Sequence, residues 1–154
     1  MDSDIKIALV GLDASHAVMF ARILQGDLPD GERLGGMRVV SCLRFPSVFC
    51  PEHAQDGRAS QLKAWGVRVT RSLEGALHGA DALILTINDP ALHWEYFRKV
   101  AHLGLPVFLD KPLAGTLEDA VRIVDLARQS RCRLFGAAVT RFLSGLVVAR
   151  HDVP

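Results

Sequence analysis

The sequence predicts an α/β fold in one domain over residues 1–154, a doubly wound parallel sheet. Three observations predict it. Apolar runs of strand length alternate with helical patterns along the whole chain, and each parallel return of the chain needs a crossover. Helix-opening residues stand just beyond apolar runs, as Asp89-Pro90 does beyond residues 82–87. Hydrophobic residues make up 49% of the chain, which suits strands buried on both faces.

In chain order, Ile5–Val10 (I-K-I-A-L-V) is the first strand and residues 11–16 the turn after it. Ala17, Phe20, Ala21 and Leu24 then recur at helical spacing until Gly26 stops the run. Residues 27–36, rich in Gly, Asp and Pro, read as a loop into a second strand at Met37–Leu43, and residues 45–56 read as irregular. Residues 60–65 predict a short helix closed by Gly66, and residues 67–70 a third strand. Ser72 is the N-cap of a helix through His78 that Gly79 closes.

Residues 82–87 (A-L-I-L-T-I) are the most apolar strand, and Asp89 and Pro90 supply the N-cap and first position of a helix to Leu103. Val107–Leu109 is a short buried strand. Thr116-Leu117-Glu118-Asp119 resembles a capping box with Asp in place of Glu, opening a helix through Gln129 whose buried face is expected to be Leu117, Ala120, Val121, Val124 and Ala127. Residues 133–139 predict a sixth strand, and residues 143–149 a last short helix or strand.

Composition excludes several functions. The net charge is +1, with 18 basic residues scattered among 17 acidic ones, so nucleic acid is not expected as a partner. No apolar run approaches the roughly 20 residues needed to cross a bilayer, so no membrane is expected either. Three cysteines at irregular spacing and no leader-like N-terminus predict a reduced, cytoplasmic protein. Cys50 and His53 form a C-x-x-H pair, but nothing nearby supplies the two further ligands of a zinc site, and no metal is expected.

The richest stretch is P-V-F-L-D-K-P-L-A at 106–114. Asp110, Lys111 and Pro112 stand at the carboxyl end of the fifth strand, the edge where open α/β sheets hold ligands. A lysine there can serve as a cation beside a phosphate or a reacting oxygen, and Pro112 holds the backbone of Lys111 extended, which fixes its aim. A surface Asp/Lys pair before a turn is the plain alternative.

The first strand-to-helix turn is where a dinucleotide fold uses G-x-G-x-x-G to bring backbone amides to the pyrophosphate. Only Gly11 matches; Asp13 falls at the second glycine and His16 at the third. A carboxylate at Asp13 is expected near the phosphates, where it weakens binding, unless Asp13 or Ser15 simply caps the helix. Arg44 stands at the end of the second strand, where an acid would bind the ribose of NAD. It can take the 2′-phosphate of NADP or stack on adenine, or it is a solvated loop arginine. His93, one turn into the helix after the fourth strand, shares an edge with Gly11 and Lys111, and either meets a ligand or packs beside Trp94 and Phe97.

Together, G-L-D-A-S-H at 11–16, N-D-P-A-L-H at 88–93, the D-K-P stretch at 106–114 and T-R-F at 140–142 resemble the Gfo/Idh/MocA family, that of glucose-fructose oxidoreductase, inositol dehydrogenase and their relatives. The resemblance implies a Rossmann domain binding NAD or NADP, with Arg44 slightly favouring NADP. It places Gly11, Asp13, Ser15, His16, Arg44, Asn88, Asp110, Lys111 and Pro112 at the cofactor. Asp110-Lys111-Pro112 is similar to the family's E-K-P and His93 matches the histidine of its T-P-N-x-x-H, which implies catalytic roles for Lys111 and for His93 beside it.

Family members usually continue into a second α/β domain that covers the nicotinamide and supplies acid/base groups. A chain ending at Pro154 is therefore expected to lack that C-terminal domain, as a fragment, as a natural half-enzyme or as a domain that assembles with a homo-oligomer or partner chain, and not to turn over a sugar or polyol alone. The implied function is the nucleotide-binding domain of an NAD(P)-dependent oxidoreductase related to enzymes of sugars, polyols or similar hydroxy compounds. The alternative, motivated by the lost glycines, is a non-catalytic nucleotide-binding or protein-interaction module.

Overall fold

The computed structural model describes residues 4–29 and 34–138. The T-R-F segment at 140–142, the reading of residues 143–149 and the end of the expected sixth strand at Val139 lie outside the described residues. The strands are β1 (Ile5–Val10), β2 (Met37–Leu43), β3 (Arg68–Thr70), β4 (Ala82–Leu85), β5 (Val107–Leu109) and β6 (Leu134–Phe135). They form one sheet in the order β3-β2-β1-β4-β5-β6, every pairing parallel. The helices are α1 (His16–Gln25), α2 (Glu52–Ala64), α3 (Leu73–Leu77), α4 (His93–Val100) and α5 (Leu117–Gln129), with a 3₁₀ turn on each side of α4.

Alternation along β1 divides the core in two. Ile7 and Leu9 face Ala17 and Ala21 of α1 and Ala59 and Leu62 of α2. Ala8 and Val10 face the other way, into a core closed by Ala76 of α3, Phe97 and Val100 of α4, and Ile123 and Ala127 of α5. The crossovers from β1 and β4 thus leave to opposite faces, and the winding reverses between these neighbouring strands. That reversal opens a crevice at their carboxyl ends, which is where such sheets bind ligands.

Local capping chemistry places three helix starts as the sequence predicts. Ser72 Oγ accepts the Gly75 N–H at 3.1 Å, Asp89 Oδ1 the Ala91 N–H at 3.0 Å, and Thr116 Oγ1 the Asp119 N–H at 3.1 Å. Elsewhere the structure departs from expectation. Helix α2 begins at Glu52, inside the stretch read as irregular, because only Gln55, Ala59 and Leu62 are buried and a polar glutamine breaks the apolar signal. Gln55 is held there by donating Nε2 to the carbonyls of Phe45 and Cys50, each at 3.1 Å. Helix α5 buries only part of its expected face: Ala127 is buried as expected, and Ile123 beside it, whereas Leu117 and Val121 are 82% and 51% exposed. It carries apolar residues on more than one side, so its own periodicity does not choose the side that meets β5. Among the described residues, no helix is long and apolar enough to cross a membrane.

Candidate functional site

The turn after β1 is stitched to its neighbours by its backbone. Gly11 has φ +112°, and a Cβ there would lie 2.9 Å from the Ile87 backbone nitrogen, so only glycine fits. Its N–H donates to the Leu43 carbonyl at 3.2 Å, and its own carbonyl accepts the buried Thr86 hydroxyl at 2.6 Å.

Asp13 is buried, and its carboxylate points into the protein. Oδ2 accepts the Ser47 hydroxyl at 2.8 Å and Oδ1 accepts the Asn88 backbone N–H at 3.2 Å, joining the ends of β1, β2 and β4. This differs from both expectations for Asp13, a phosphate-facing carboxylate and a helix cap. Its two partners lie on other loops, and Ser15, the N-cap residue of α1, makes no side-chain cap bond either. The first turn of α1 carries no acidic residue. The buried Asp13 charge is felt nearby: burial first, and Asp13 second, push the Cys42 thiol far above its ordinary value. Burial, Glu95 and Asp13, in that order, raise the Tyr96 phenol.

The second part of the site is built at the end of β5. The Asp110 N–H donates to the Leu85 carbonyl at 3.0 Å, continuing the β4–β5 ladder, and the residue is buried, at 5% exposure. Oδ1 then accepts the Lys111 N–H at 2.8 Å, and Oδ2 meets Nδ1 of His16. His16, the first residue of α1, stands edge-on to Phe20, which in turn meets Phe108 of β5. The D-K-P segment and the phosphate-type turn are thereby in direct contact. Lys111 is exposed, the Lys111-Pro112 peptide is cis, and a cleft of about 420 Å³ opens beside them, lined by Leu113, Leu134, Gly136 and Ala137 among others.

His93 and Arg44 are placed at the expected edge but engaged within the protein, which corrects the expected catalytic role of His93. His93 is fully buried, with Nε2 2.9 Å from the Ile87 carbonyl oxygen and Nδ1 3.3 Å from that of Leu113, so neither ring nitrogen faces outward. Arg44 donates from Nη1 to Asp56 at 2.6 Å and from Nη2 to the Glu52 carbonyl at 3.2 Å, with the Glu52 carboxylate at 3.5 Å. Asn88 gives its backbone N–H to Asp13 while its side chain is exposed. Sequence reasoning missed two participants, Ser47 and Arg58; the latter donates from α2 to the Leu12 carbonyl at 2.9 Å. Neither has a local pattern that singles it out, and α2 itself had no legible start. Among the described residues no group of three His, Cys, Asp or Glu side chains gathers as metal ligands.

The glycine turn and the acid-free start of α1 stand at the carboxyl edge of the sheet, with the Asp13 carboxylate turned inward. The Gfo/Idh/MocA sequence model, described as an oxidoreductase family with an NAD-binding Rossmann fold, matches residues 45–137. No curated protein matches the chain. Among solved structures, biliverdin reductase from Synechocystis, determined with biliverdin and NADP+, superposes with a TM-score of 0.72 at 19% identity, over 96% of this chain and 42% of its own. The WlbA dehydrogenase of Bordetella pertussis, with NADH and UDP-GlcNAcA, gives 0.66 at 24% identity, over 99% and 40%. An oxidoreductase from Agrobacterium radiobacter, with NAD+, L-tartaric acid and magnesium, gives 0.68 at 18%, over 90% and 36%. These likenesses show the fold, and the chain spans about two fifths of the length of such proteins.

Proposed function

Since the chain belongs to the Gfo/Idh/MocA oxidoreductase family, with its NAD-binding Rossmann fold, we propose that it is the nicotinamide-dinucleotide half of a hydride-transfer site acting on a sugar, polyol or related hydroxy compound. The observation that carries this reading is the contact of His16 with Asp110. It joins the turn that would hold the pyrophosphate to the D-K-P segment that would face the nicotinamide, so one crevice serves the pyrophosphate and the nicotinamide of a dinucleotide.

The bound dinucleotide supplies the hydride acceptor or donor; the chain supplies position and charge. Gly11 and the start of α1 offer backbone N–H groups to phosphate. Asp110, fixed by His16 and by the Lys111 N–H, sets the base from which Lys111 projects. The exposed Lys111 ammonium then sits where a substrate oxygen gains negative charge. His93 fills the space between the segment after Lys111 and the end of β4. A preference for NADP through Arg44 requires that residue to give up Asp56 and Glu52. The free cysteines Cys42, Cys50 and Cys132 favour a reducing, cytoplasmic setting.

A binding module without turnover is the second reading, favoured by His16 and Asp13 at two glycine positions of the phosphate turn. Calorimetric titration with NAD, NADH, NADP and NADPH tests both. Binding of at least one dinucleotide, weakened by Asp110→Asn, is the expected result. Failure to bind any of the four would end the proposal, and dinucleotide binding with no turnover of polyols, sugars or hydroxy acids would favour the module.

A further inference from the structure

Building on the dinucleotide reading above, we propose that Arg58, on α2, recognises the phosphate groups on the adenosine side of the dinucleotide. Nothing in its local sequence marks it for this role; its place in the fold does. Its Nη1 donates to the Leu12 carbonyl at 2.9 Å, which brings a guanidinium from α2 onto the turn between β1 and α1. Helix α2 follows β2, and the adenosine half of a dinucleotide lies toward β2 in a sheet of this winding.

The pattern of charges separates Arg58 from its neighbours. Arg44 is answered by Asp56 at 2.6 Å and Glu52 at 3.5 Å, and Arg71 by Glu52 at 2.8 Å. Arg58 has a carbonyl instead. A carbonyl takes an N–H but leaves the charge, and among the described residues Arg58 forms no ion pair. Asp13, two residues from the turn's glycine, does not take the charge, because its carboxylate is turned inward onto Ser47 and the Asn88 N–H. A part-buried cation of this kind is screened less than a surface one.

The guanidinium is also held in place before any ligand arrives. Gln55, one turn earlier on α2, is anchored to the Phe45 and Cys50 carbonyls, while Ala59 and Leu62 are buried against the sheet. Its remaining N–H donors form the planar fork that matches phosphate oxygens. A phosphate turn with one glycine of three loses close backbone approach, and a fixed arginine beside it supplies the missing attraction from a side chain.

The test is calorimetric titration of the wild-type chain, Arg58→Gln and Arg44→Gln with NAD, NADP, ADP and adenosine. Arg58→Gln should lower affinity for ADP and for the preferred dinucleotide by about tenfold or more, leave adenosine unchanged and flatten the salt dependence; Arg44→Gln should do less. Equal ADP binding by wild type and a folded Arg58→Gln, an equal loss for adenosine, or a larger loss in Arg44→Gln would each overturn the inference while leaving the cofactor reading intact. A wild-type chain that binds no dinucleotide would overturn both. If Arg58→Gln fails to fold, phenylglyoxal modification of Arg58 in the wild-type chain decides: protection by ADP but not by adenosine is the expected result, and no protection by ADP refutes it.

Discussion

Nε2 of His93 lies 2.9 Å from the carbonyl oxygen of Ile87, and Nδ1 of the same ring lies 3.3 Å from that of Leu113. One fully buried side chain thus lies between the end of β4 and the segment beyond Lys111. Replacing it by phenylalanine keeps the bulk and removes the donor, which leaves a buried carbonyl short of a partner at a cost of about 1–3 kcal/mol. His93→Phe should therefore lower the urea midpoint without changing the slope. Unchanged stability with a selective loss of turnover would instead make the ring a group that meets substrate.

Asp13→Gly restores the second glycine of the phosphate turn, and on the sequence alone it is expected to tighten dinucleotide binding. The structure reverses that expectation. The substitution strips the Ser47 hydroxyl and the Asn88 N–H of their acceptor, so stability should fall by about 1–3 kcal/mol with no gain in affinity. Asp13→Asn, which keeps one acceptor oxygen, should cost less. Tighter binding by a fully stable Asp13→Gly chain would show that the carboxylate faces the phosphates after all.

Gly11→Ala combines two penalties, a φ of +112° and a Cβ 2.9 Å from the Ile87 nitrogen. Backbone strain of this kind alone costs on the order of 1–3 kcal/mol, and the contact is with backbone that cannot swing away. Thermal melting should show a lower midpoint, and calorimetry a weaker dinucleotide, because the turn and the end of β4 are pushed apart. Gly57→Ala, with open space around its Cβ and a helical position, is the matched control and should be neutral or stabilising.

The Cys42 thiol predicts both reactivity and pH dependence. Burial and the Asp13 charge raise its pKa, and burial raises Cys132 in the same direction. At pH 8 the native chain should react with a disulfide reagent at Cys42 only as fast as it opens. The linkage has a definite sign: the unfolded thiol releases its proton near 9.0 while the folded one keeps it, so this contribution is intact below that pH and is lost as pH rises above it. Urea midpoints measured from pH 7 to pH 10.5 should decline above about 9, and less so in Cys42→Ala. Rapid native labelling of Cys42 would contradict the burial on which this rests.

Much of this protein is written locally. The bounds of β1 and β2 follow from apolar runs between Gly, Asp and Pro, and Ser72, Asp89 and Thr116 cap their helices through their own backbone neighbours. The parallel doubly wound class follows in turn, since strands that alternate with helices have few other ways to bury both. Motif spacing reached the family as well, because D-K-P, G-L-D-A-S-H and N-D-P-A-L-H are contiguous strings.

What only the tertiary structure decided are choices between partners far apart in sequence. Asp13 meets Ser47 across 34 residues and Asn88 across 75, and His16 meets Asp110 across 94. Whether Asp13 points inward, whether Arg44 or Arg58 keeps its charge unanswered, and whether Ile123 or Val121 faces the core depend on where other elements land. A carboxylate or a guanidinium takes whichever opposite group the fold brings within reach, and an apolar helix with two candidate faces buries the one the sheet meets. Periodicity and capping act over one or two turns of chain, so they determine the elements; the contacts that aim the side chains of the site form only once the sheet has closed.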